Sequence, residues 1–279
     1  MSRRKFLKKG ILGTAMASVS SVLAGSYGFT KERFWVEINE IKLALPRLPK
    51  EYKGLKLAHF SDLHMGFFYE PQHFSREMEK INHFKPDIIC FTGDLVDNEL
   101  DHMDETVELL RKLHAPLGKF AVLGNHDYYR DDELVAAHLT KAGFQVLRNQ
   151  HAVVRRGSDV LYMLGVEDMT MSTPDIVRAA EGVPLDGCKI LLSHAPNFAL
   201  ETLEHKIDLQ LSGHSHGGQV RLPLIGHLVL PPNADRFPDG LQRVQETQMM
   251  VYTTRGLGTT HLPVRFYCRP ELTFFTFIH

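Results

Sequence analysis

The stretch Asp87-Ile88-Ile89-Cys90-Phe91-Thr92-Gly93-Asp94-Leu95-Val96-Asp97 decides how the rest of the chain is read. Ile88 to Phe91 form a short apolar run, which reads as a strand buried on both faces. At its end the chain turns at Gly93 and presents Asp94, with Asp97 three residues on. Open α/β sheets hold ligands in the crevice past the carboxyl ends of their strands, so Asp94 stands where a ligand is met. Gly-Asp is also a common turn, and one such aspartate identifies nothing. Four other apolar runs in this chain, however, end the same way, in Asp, His or Asn.

Upstream, Lys56 to Ser61 reads as a strand that delivers Asp62-Leu63-His64. Residues i and i+2 of an extended segment point the same way, so Asp62 and His64 are expected to converge. Phe34 to Leu45 alternates as a half-buried strand, and Gln72 to Phe84 as an amphipathic helix. Downstream, Asp101 is expected to cap a helix over Met103 to Leu113. Lys119 to Leu123 is a strand running into Gly124-Asn125-His126-Asp127, and Asp131 to Ala142 a helix stopped by Gly143. Gln145 to Val166 reads as strands turning at Arg156-Gly157-Ser158, followed by a helix over Thr173 to Ala180.

Lys189 to Leu192 is a strand ending in Ser193-His194-Ala195-Pro196, with a helix of about two turns after it. Leu209 to Leu211 ends in Ser212-Gly213-His214-Ser215-His216-Gly217-Gly218-Gln219. Pro223, Pro231, Pro232 and Pro238 then punctuate an irregular connection to Gly240, the kind of loop that often walls a substrate site. Strands are expected over Met249 to Thr253, Val264 to Cys268 and Leu272 to Ile278. The first half alternates strand and helix and the second is strand-rich. Together they predict an α/β domain, a two-sheet sandwich with helices outside.

The chain has 279 residues and 43% apolar content, ordinary for one globular domain. Residues 1–30 differ from the rest. Ser2-Arg3-Arg4-Lys5-Phe6-Leu7-Lys8 precedes a Gly, Ala and Ser-rich apolar stretch, with Val22-Leu23-Ala24 as a cleavage candidate. The paired arginines resemble a twin-arginine export signal. The expected division is therefore a signal over 1–30 and the folded domain over 31–279. The expected location is the bacterial envelope, membrane-associated if the signal is left uncleaved. Without the five basic residues up to position 24, 27 basic residues stand against 33 acidic, a net of −6. That balance argues against a broad nucleic-acid or anionic-membrane footprint. Cys90, Cys188 and Cys268 lie in or beside apolar runs, are odd in number and read as buried free thiols.

The strand ends together supply Asp62, His64, Asp94, Asn125, His126, His194, His214 and His216. Any one of these is most simply an ordinary core or surface residue. In the order Asp-x-His, Gly-Asp-x-x-Asp, Gly-Asn-His-Asp, Ser-His-Ala-Pro and Gly-His-x-His, chance is a poor explanation. The set resembles the calcineurin-like metallophosphoesterases across the whole mature chain. Gly213-His214-Ser215-His216-Gly217-Gly218-Gln219, Thr254 to Gly258 and Cys268 to Glu271 look like the twin-arginine-exported bacterial subgroup.

The resemblance implies a four-layer sandwich and two divalent metal ions. One ion would take Asp62, His64, Asp94 and His216, the other Asp94, Asn125, His194 and His214, with Asp94 bridging. Two such ions repel, and a bridging carboxylate with a bridging hydroxide offsets this, the hydroxide attacking phosphorus in line. Nitrogen and oxygen ligands without thiolate suit manganese, iron or zinc. Export in the folded state means loading in the cytoplasm, which favours manganese or iron. His126, next to Asn125, is implied as the general acid, and Asp97 as the carboxylate that pairs with it and keeps it charged. Asp127, Tyr128, Arg221, Arg236 and Arg255 are further candidates to face the substrate.

The implied activity is phosphoester hydrolysis, with phosphodiesters favoured by the subgroup resemblance and by the lack of a recognisable deep basic pocket. The implied partners are a phosphoester substrate and the twin-arginine export machinery; nothing in the sequence specifies an oligomer. A pyrophosphatase resembling UDP-2,3-diacylglucosamine hydrolases is a second enzyme reading, opposed by the export signal because its substrate is expected on the cytoplasmic side. A non-catalytic scaffold is a third, opposed by the complete ligand set.

Overall fold

The computed structural model describes residues 23–278. The Arg3-Arg4 pair and the basic stretch read as an export signal lie outside the described residues. The described chain begins in a helical segment, 23–30, and the short turn Glu32–Phe34. This start is docked on the domain: Glu32 accepts from the Cys268 amide at 2.7 Å.

Two six-stranded mixed sheets follow. The first comprises β1 (Glu37–Ala44), β2 (Lys56–Phe60), β3 (Ile88–Phe91), β4 (Lys119–Ala121), β5 (Gln145–Val146) and β14 (Glu271–Ile278), in the order β1-β14-β2-β3-β4-β5. Strands β2 to β5 are mutually parallel, while β14 runs antiparallel to β2. The second comprises β6 (Gln150–Arg156), β7 (Asp159–Gly165), β8 (Lys189–Leu192), β9 (Leu209–Ser212), β12 (Gly240–Arg243) and β13 (Met250–Thr253), in the order β12-β13-β9-β8-β7-β6. Its central strands β13, β9, β8 and β7 are parallel. A two-stranded ribbon, β10 (Arg221–Leu222) with β11 (Gly226–His227), stands apart.

Alternation of side chains across a strand explains the layering. Ile88 and Cys90 of β3 face the second sheet, joining Leu57, Phe120, Ile190, Leu192, Leu209 and Leu211 in the core between sheets. Ile89 and Phe91 face the other way, onto helices α1 (Pro71–Phe84), α2 (Met103–Arg111) and α3 (Asp132–Lys141). Phe74, Met78 and Ile81 recur at helical spacing on the buried face of α1, and each buried side chain of this size contributes about 1.5–3 kcal/mol. The short α4 (Ile176–Ala179) and the turn Pro196–Glu201 cover the outer face of the second sheet. The expected two-sheet α/β sandwich flanked by helices is the fold observed. Cys90, Cys188 and Cys268 are free and buried, as expected.

Several local expectations fail. Residues 264–268 form no strand; Phe266 makes one isolated bridge to Val220. The fully buried Arg265 guanidinium instead donates to the carbonyls of Arg255, Gly256, Gly258 and Cys268, so side-chain bonds hold this segment where a ladder was expected. Asp101 does not cap α2: His102 occupies the cap position with φ 62° and no side-chain bond. Asp131 does cap α3, accepting from the Leu134 amide at 2.9 Å. The helix expected after His194 is two 3₁₀ turns, Pro196–Glu201 and Leu203–His205. The connection before Gly240 contains the β10–β11 ribbon and leads into β12, short polar strands with little alternation to reveal them.

Candidate metal centre

The carboxyl ends of β2, β3 and β4 meet those of β8 and β9 at one end of the sandwich. Main-chain bonds lock them together: Asp62 N–H donates to Gly93 O (2.9 Å), His64 N–H to Asp94 O (3.1 Å), and Gly213 N–H to His194 O (3.1 Å). Bonds also cross between sheets, since His214 N–H donates to Asp62 Oδ1 (3.0 Å) and His194 Nδ1–H to Thr92 O (2.6 Å). Asp62, His64, Asp94, His214 and His216 all adopt left-handed backbone, with φ between 47° and 68°. Such residues cost of order 1–3 kcal/mol each and persist where the surroundings over-determine them. Asp62 and His64 therefore converge through two left-handed residues, and the extended segment expected there is not formed.

The side chains form two ligand groups. Ligand atoms of Asp62, His64, Asp94 and His216 lie within 4.8 Å of one another, as do those of Asp94, His194 and His214. Asp94 belongs to both. Three of the four histidines have their outer nitrogen engaged elsewhere, while the buried Nδ1 of His216 has no hydrogen-bond partner. His64 Nδ1 pairs with the Asp97 carboxylate (3.0 Å), His194 Nδ1 with Thr92 O (2.6 Å), and His214 Nε2 with Pro232 O (2.8 Å). Such outer partners fix the tautomer and aim a lone pair inward, a common arrangement around metal ligands.

The inward nitrogens face groups that repel a lone pair. His64 Nε2 lies 3.0 Å from His216 Nε2 and 3.4 Å from Asp94 Oδ2, and His194 Nε2 lies 3.2 Å from Asp94 Oδ2. A positive charge between them, a shared cation or a proton on an imidazole, makes those approaches favourable. Burial opposes charge on His64 and His194, yet the surrounding carboxylates outweigh it and raise the proton affinity of both. Burial lowers His214, to about 4, and lowers His216, leaving both as neutral donors. Asn125 fits the same cluster: its Nδ2 reaches Tyr129 Oη at 3.4 Å, while its buried Oδ1 has no hydrogen-bond partner. The residues thus fit divalent metal with nitrogen and oxygen donors.

The remaining candidates separate. His126 sits at the centre, its N–H donating to Asp94 Oδ1 (2.8 Å) and its Nδ1–H to the main-chain carbonyl of Asp97 (2.9 Å). The Asp97 carboxylate was expected to serve His126. Its nearer partner is His64, with His126 Nδ1 at 3.4 Å. Burial lowers His126, against the pull of Asp94 and Asp97. Asp127 does not face substrate: it is buried and accepts the amides of Asp94 (2.9 Å), Leu95 (2.8 Å), Val96 (3.4 Å) and Gly124 (2.9 Å), clamping the β3 and β4 loops together. Tyr128 bonds Glu167, Arg255 pairs with Glu271 and Glu37, and Arg221 pairs with Asp239.

None of those, nor Arg236, lines the cavity of about 690 Å³ that opens over the cluster. Its lining combines Asp94, Asn125, His126, His214 and His216 with Tyr129, Thr170, Thr260, His261, Leu262 and the loop Leu228 to Pro232. Tyr129, Thr170 and His261 carried no motif that could have singled them out. The proline-punctuated loop did, and it is the wall.

The family model for calcineurin-like phosphoesterases matches residues 55–218. The chain is 37% identical over 283 residues to the metallophosphoesterase YkuE of Bacillus subtilis (strain 168), covering 99% of this chain and 97% of that one. It is 31% identical over 274 residues to a transmembrane protein with metallophosphoesterase domain from Danio rerio, covering 93% of this chain and 61% of that protein. It is 29% identical over 281 residues to the phosphodiesterase YaeI of Escherichia coli (strain K12), covering 98% of each.

Proposed function

Since this chain belongs to the calcineurin-like phosphoesterase family, whose members are metal-dependent phosphoester hydrolases, we propose that it hydrolyses phosphodiesters at a two-metal centre. The observation that carries this reading is Asp94, one buried carboxylate common to two ligand groups on the floor of a single cavity. One ion would be held by Asp62, His64, Asp94 and His216, the other by Asp94, Asn125, His194 and His214, with manganese or iron favoured. Bound there, the ions supply Lewis acidity and an activated water for attack at phosphorus.

The chain's own residues orient the substrate and move the proton. Asn125 offers an uncharged oxygen and so preserves the positive balance that draws an anionic phosphoryl group. His126 lines the cavity, and its Nδ1–H is fixed on the Asp97 carbonyl, so Nε2 is the nitrogen that would take up a proton and pass it to the departing oxygen; burial disfavours that charged form while Asp94 and Asp97 favour it. Among the described lining residues there is no lysine or arginine, which suits the single charge of a diester better than the double charge of a monoester. The description of YaeI as a phosphodiesterase agrees. We extend the proposal to twin-arginine export, supported by Ser2-Arg3-Arg4-Lys5-Phe6-Leu7-Lys8.

The test is hydrolysis of a phosphomonoester, a phosphodiester and a pyrophosphate by the metal-reconstituted chain, with and without chelator. The diester should be cleaved fastest, and chelation should abolish cleavage. A tenfold preference for either other substrate would overturn the diester assignment, and inertness towards all three would overturn the hydrolase reading.

A further inference from the structure

The cavity over the cluster has two unlike halves. Its floor carries Asp94, Asn125, His126, His214 and His216, whereas its upper wall comes from Leu228-Val229-Leu230-Pro231-Pro232, five residues without a polar side chain. Leu228 and Val229 are 52% and 73% exposed, Leu262 on a second lining loop is 63% exposed, and Leu224 at the ribbon turn is fully exposed. Clustered exposed aliphatics of this kind mark interaction surfaces.

These loops are held in place. His214 Nε2–H donates to Pro232 O at 2.8 Å, which ties the wall to a ligand of the cluster. The Leu228 amide donates to Val220 O (3.3 Å), and Gly218 packs so closely that a Cβ there would lie 2.9 Å from Val229 O. The Gln219 side chain spans to the second loop, donating through Nε2 to Thr260 O and accepting at Oε1 from the Thr260 amide, both at 2.8 Å. The apolar lip and the second loop that presents Leu262 are thus anchored to the polypeptide that carries His214 and His216.

A small polar ester would use only the floor. A nucleoside ester would ask for donors and acceptors to match its base, and the wall offers aliphatic carbon. We infer that the substrate is amphipathic, a phosphoester whose hydrocarbon group lies between Leu228–Val229 and Leu262 while its phosphoryl group meets the ligand cluster. The occupant of the apolar wall is the substrate's own chain, because wall and cluster bound one continuous cavity of a size usual for a small-molecule site. This inference rests on the hydrolase reading above.

The experiment uses the full metal-reconstituted chain and p-nitrophenyl phosphodiesters whose second ester group is methyl, butyl, octyl or thymidine, all below micelle-forming concentrations. In parallel, binding of the matching non-hydrolysable dialkyl phosphinates is measured by calorimetry. Burying a methylene is worth roughly a two- to fourfold change, so kcat/KM and phosphinate affinity should each rise about tenfold or more from methyl to octyl. In Val229→Ser/Leu262→Ser that octyl-to-methyl ratio should fall towards one; both side chains are exposed, so the core is left intact. Equal values across the alkyl series, or preference for the thymidine ester, would overturn the inference and leave the hydrolase reading standing. If no ester is cleaved while phosphinate affinity still rises with chain length, the hydrolase reading fails and the apolar subsite stands.

Discussion

At the scale of single residues, His126 is distinguished from its neighbours by what it touches. Its Nδ1 is committed to a main-chain carbonyl, and it stands beside the ligand groups with its ring centroid 4.5 Å from that of His64. General acid catalysis is worth roughly a hundred- to ten-thousandfold when the leaving oxygen needs a proton. His126→Ala should therefore retain bound metal and lose far more rate on an alkyl diester than on a nitrophenyl one, whose phenolate leaves unaided. Equal losses, with bond cleavage rate-limiting, would count against the acid role. His59 tests burial instead. It is fully buried, hydrogen-bonded through Nε2 to Thr92 Oγ1 (2.9 Å), and burial pushes its pKa down to about 3. Because the folded value is below the ordinary 6.5, the unfolded chain takes up this proton first as the pH falls. The contribution is complete above about pH 6.5 and is lost towards pH 3, at about 1.4 kcal/mol per unit. Urea unfolding of chelated His59→Gln between pH 6.5 and 5 should show a shallower loss of stability than the parent chain. Identical slopes would remove His59 from the account.

At the scale of elements, the centre depends on loops approaching more closely than side chains ordinarily permit. Gly124, between β4 and the turn that carries Asn125 and His126, has no room for a Cβ. An added one would meet Asp94 Oδ1 and lie 2.6 Å from His194 Cε1. Gly124→Ala should leave the helices and sheets folded, because the main hydrophobic layers lie below the loops. It should displace Asp94, which both ligand groups need, and metal analysis should find well under half of the parent's metal. Full metal content in a folded Gly124→Ala protein would refute the close-approach argument. The same crowding explains why Asp127 is spent on four amides: the β3 and β4 loops must be pinned before Asp94 can be shared.

At the scale of the whole molecule, the two sheets form a platform whose strand ends present the ligand cluster, and two anchored loops, one of them apolar, rise beside it. Residues 23–34 are docked against the segment that holds the buried Arg265: Gly28 lies so close that a Cβ there would sit 2.6 Å from Arg265 O, and Arg33 lies over the rings of Phe29 and Phe34. The proposed export acts on the chain as a folded unit. Replacing Arg3 and Arg4 together with lysine preserves charge, yet should strand the protein in the cytoplasm, as read by fractionation and metal-dependent hydrolysis in each compartment. Undiminished accumulation in the envelope would exclude the twin-arginine route.

What the chain's sequence determined by itself was local and periodic. Ile88 to Phe91, Ile190 to Leu192 and Leu209 with Leu211 are short apolar stretches that are buried as strands, and the Asp and His that follow them are forced to the strand ends. Parallel neighbours then place those ends together, which is why Asp62, His64, Asp94, His194, His214 and His216 are legible in the sequence as one cluster. Tertiary structure alone decided the rest, because the deciding contacts are specific side-chain bonds, most of them between segments far apart in sequence, that leave no periodic signal. Asp127 turned inward to the amides of β3's loop, Asp97 gave its carboxylate chiefly to His64 and its carbonyl to His126, and Arg265 gathered four carbonyls where a strand was expected. Left-handed backbone at five of the ligand positions is likewise imposed by the surroundings, since neither Asp nor His prefers it strongly enough to announce it. The apolar wall belongs to the same class: its prolines and leucines spelled an irregular loop, and tertiary contacts, His214 to Pro232 and Leu228 to Val220 among them, set that loop over the ligand cluster.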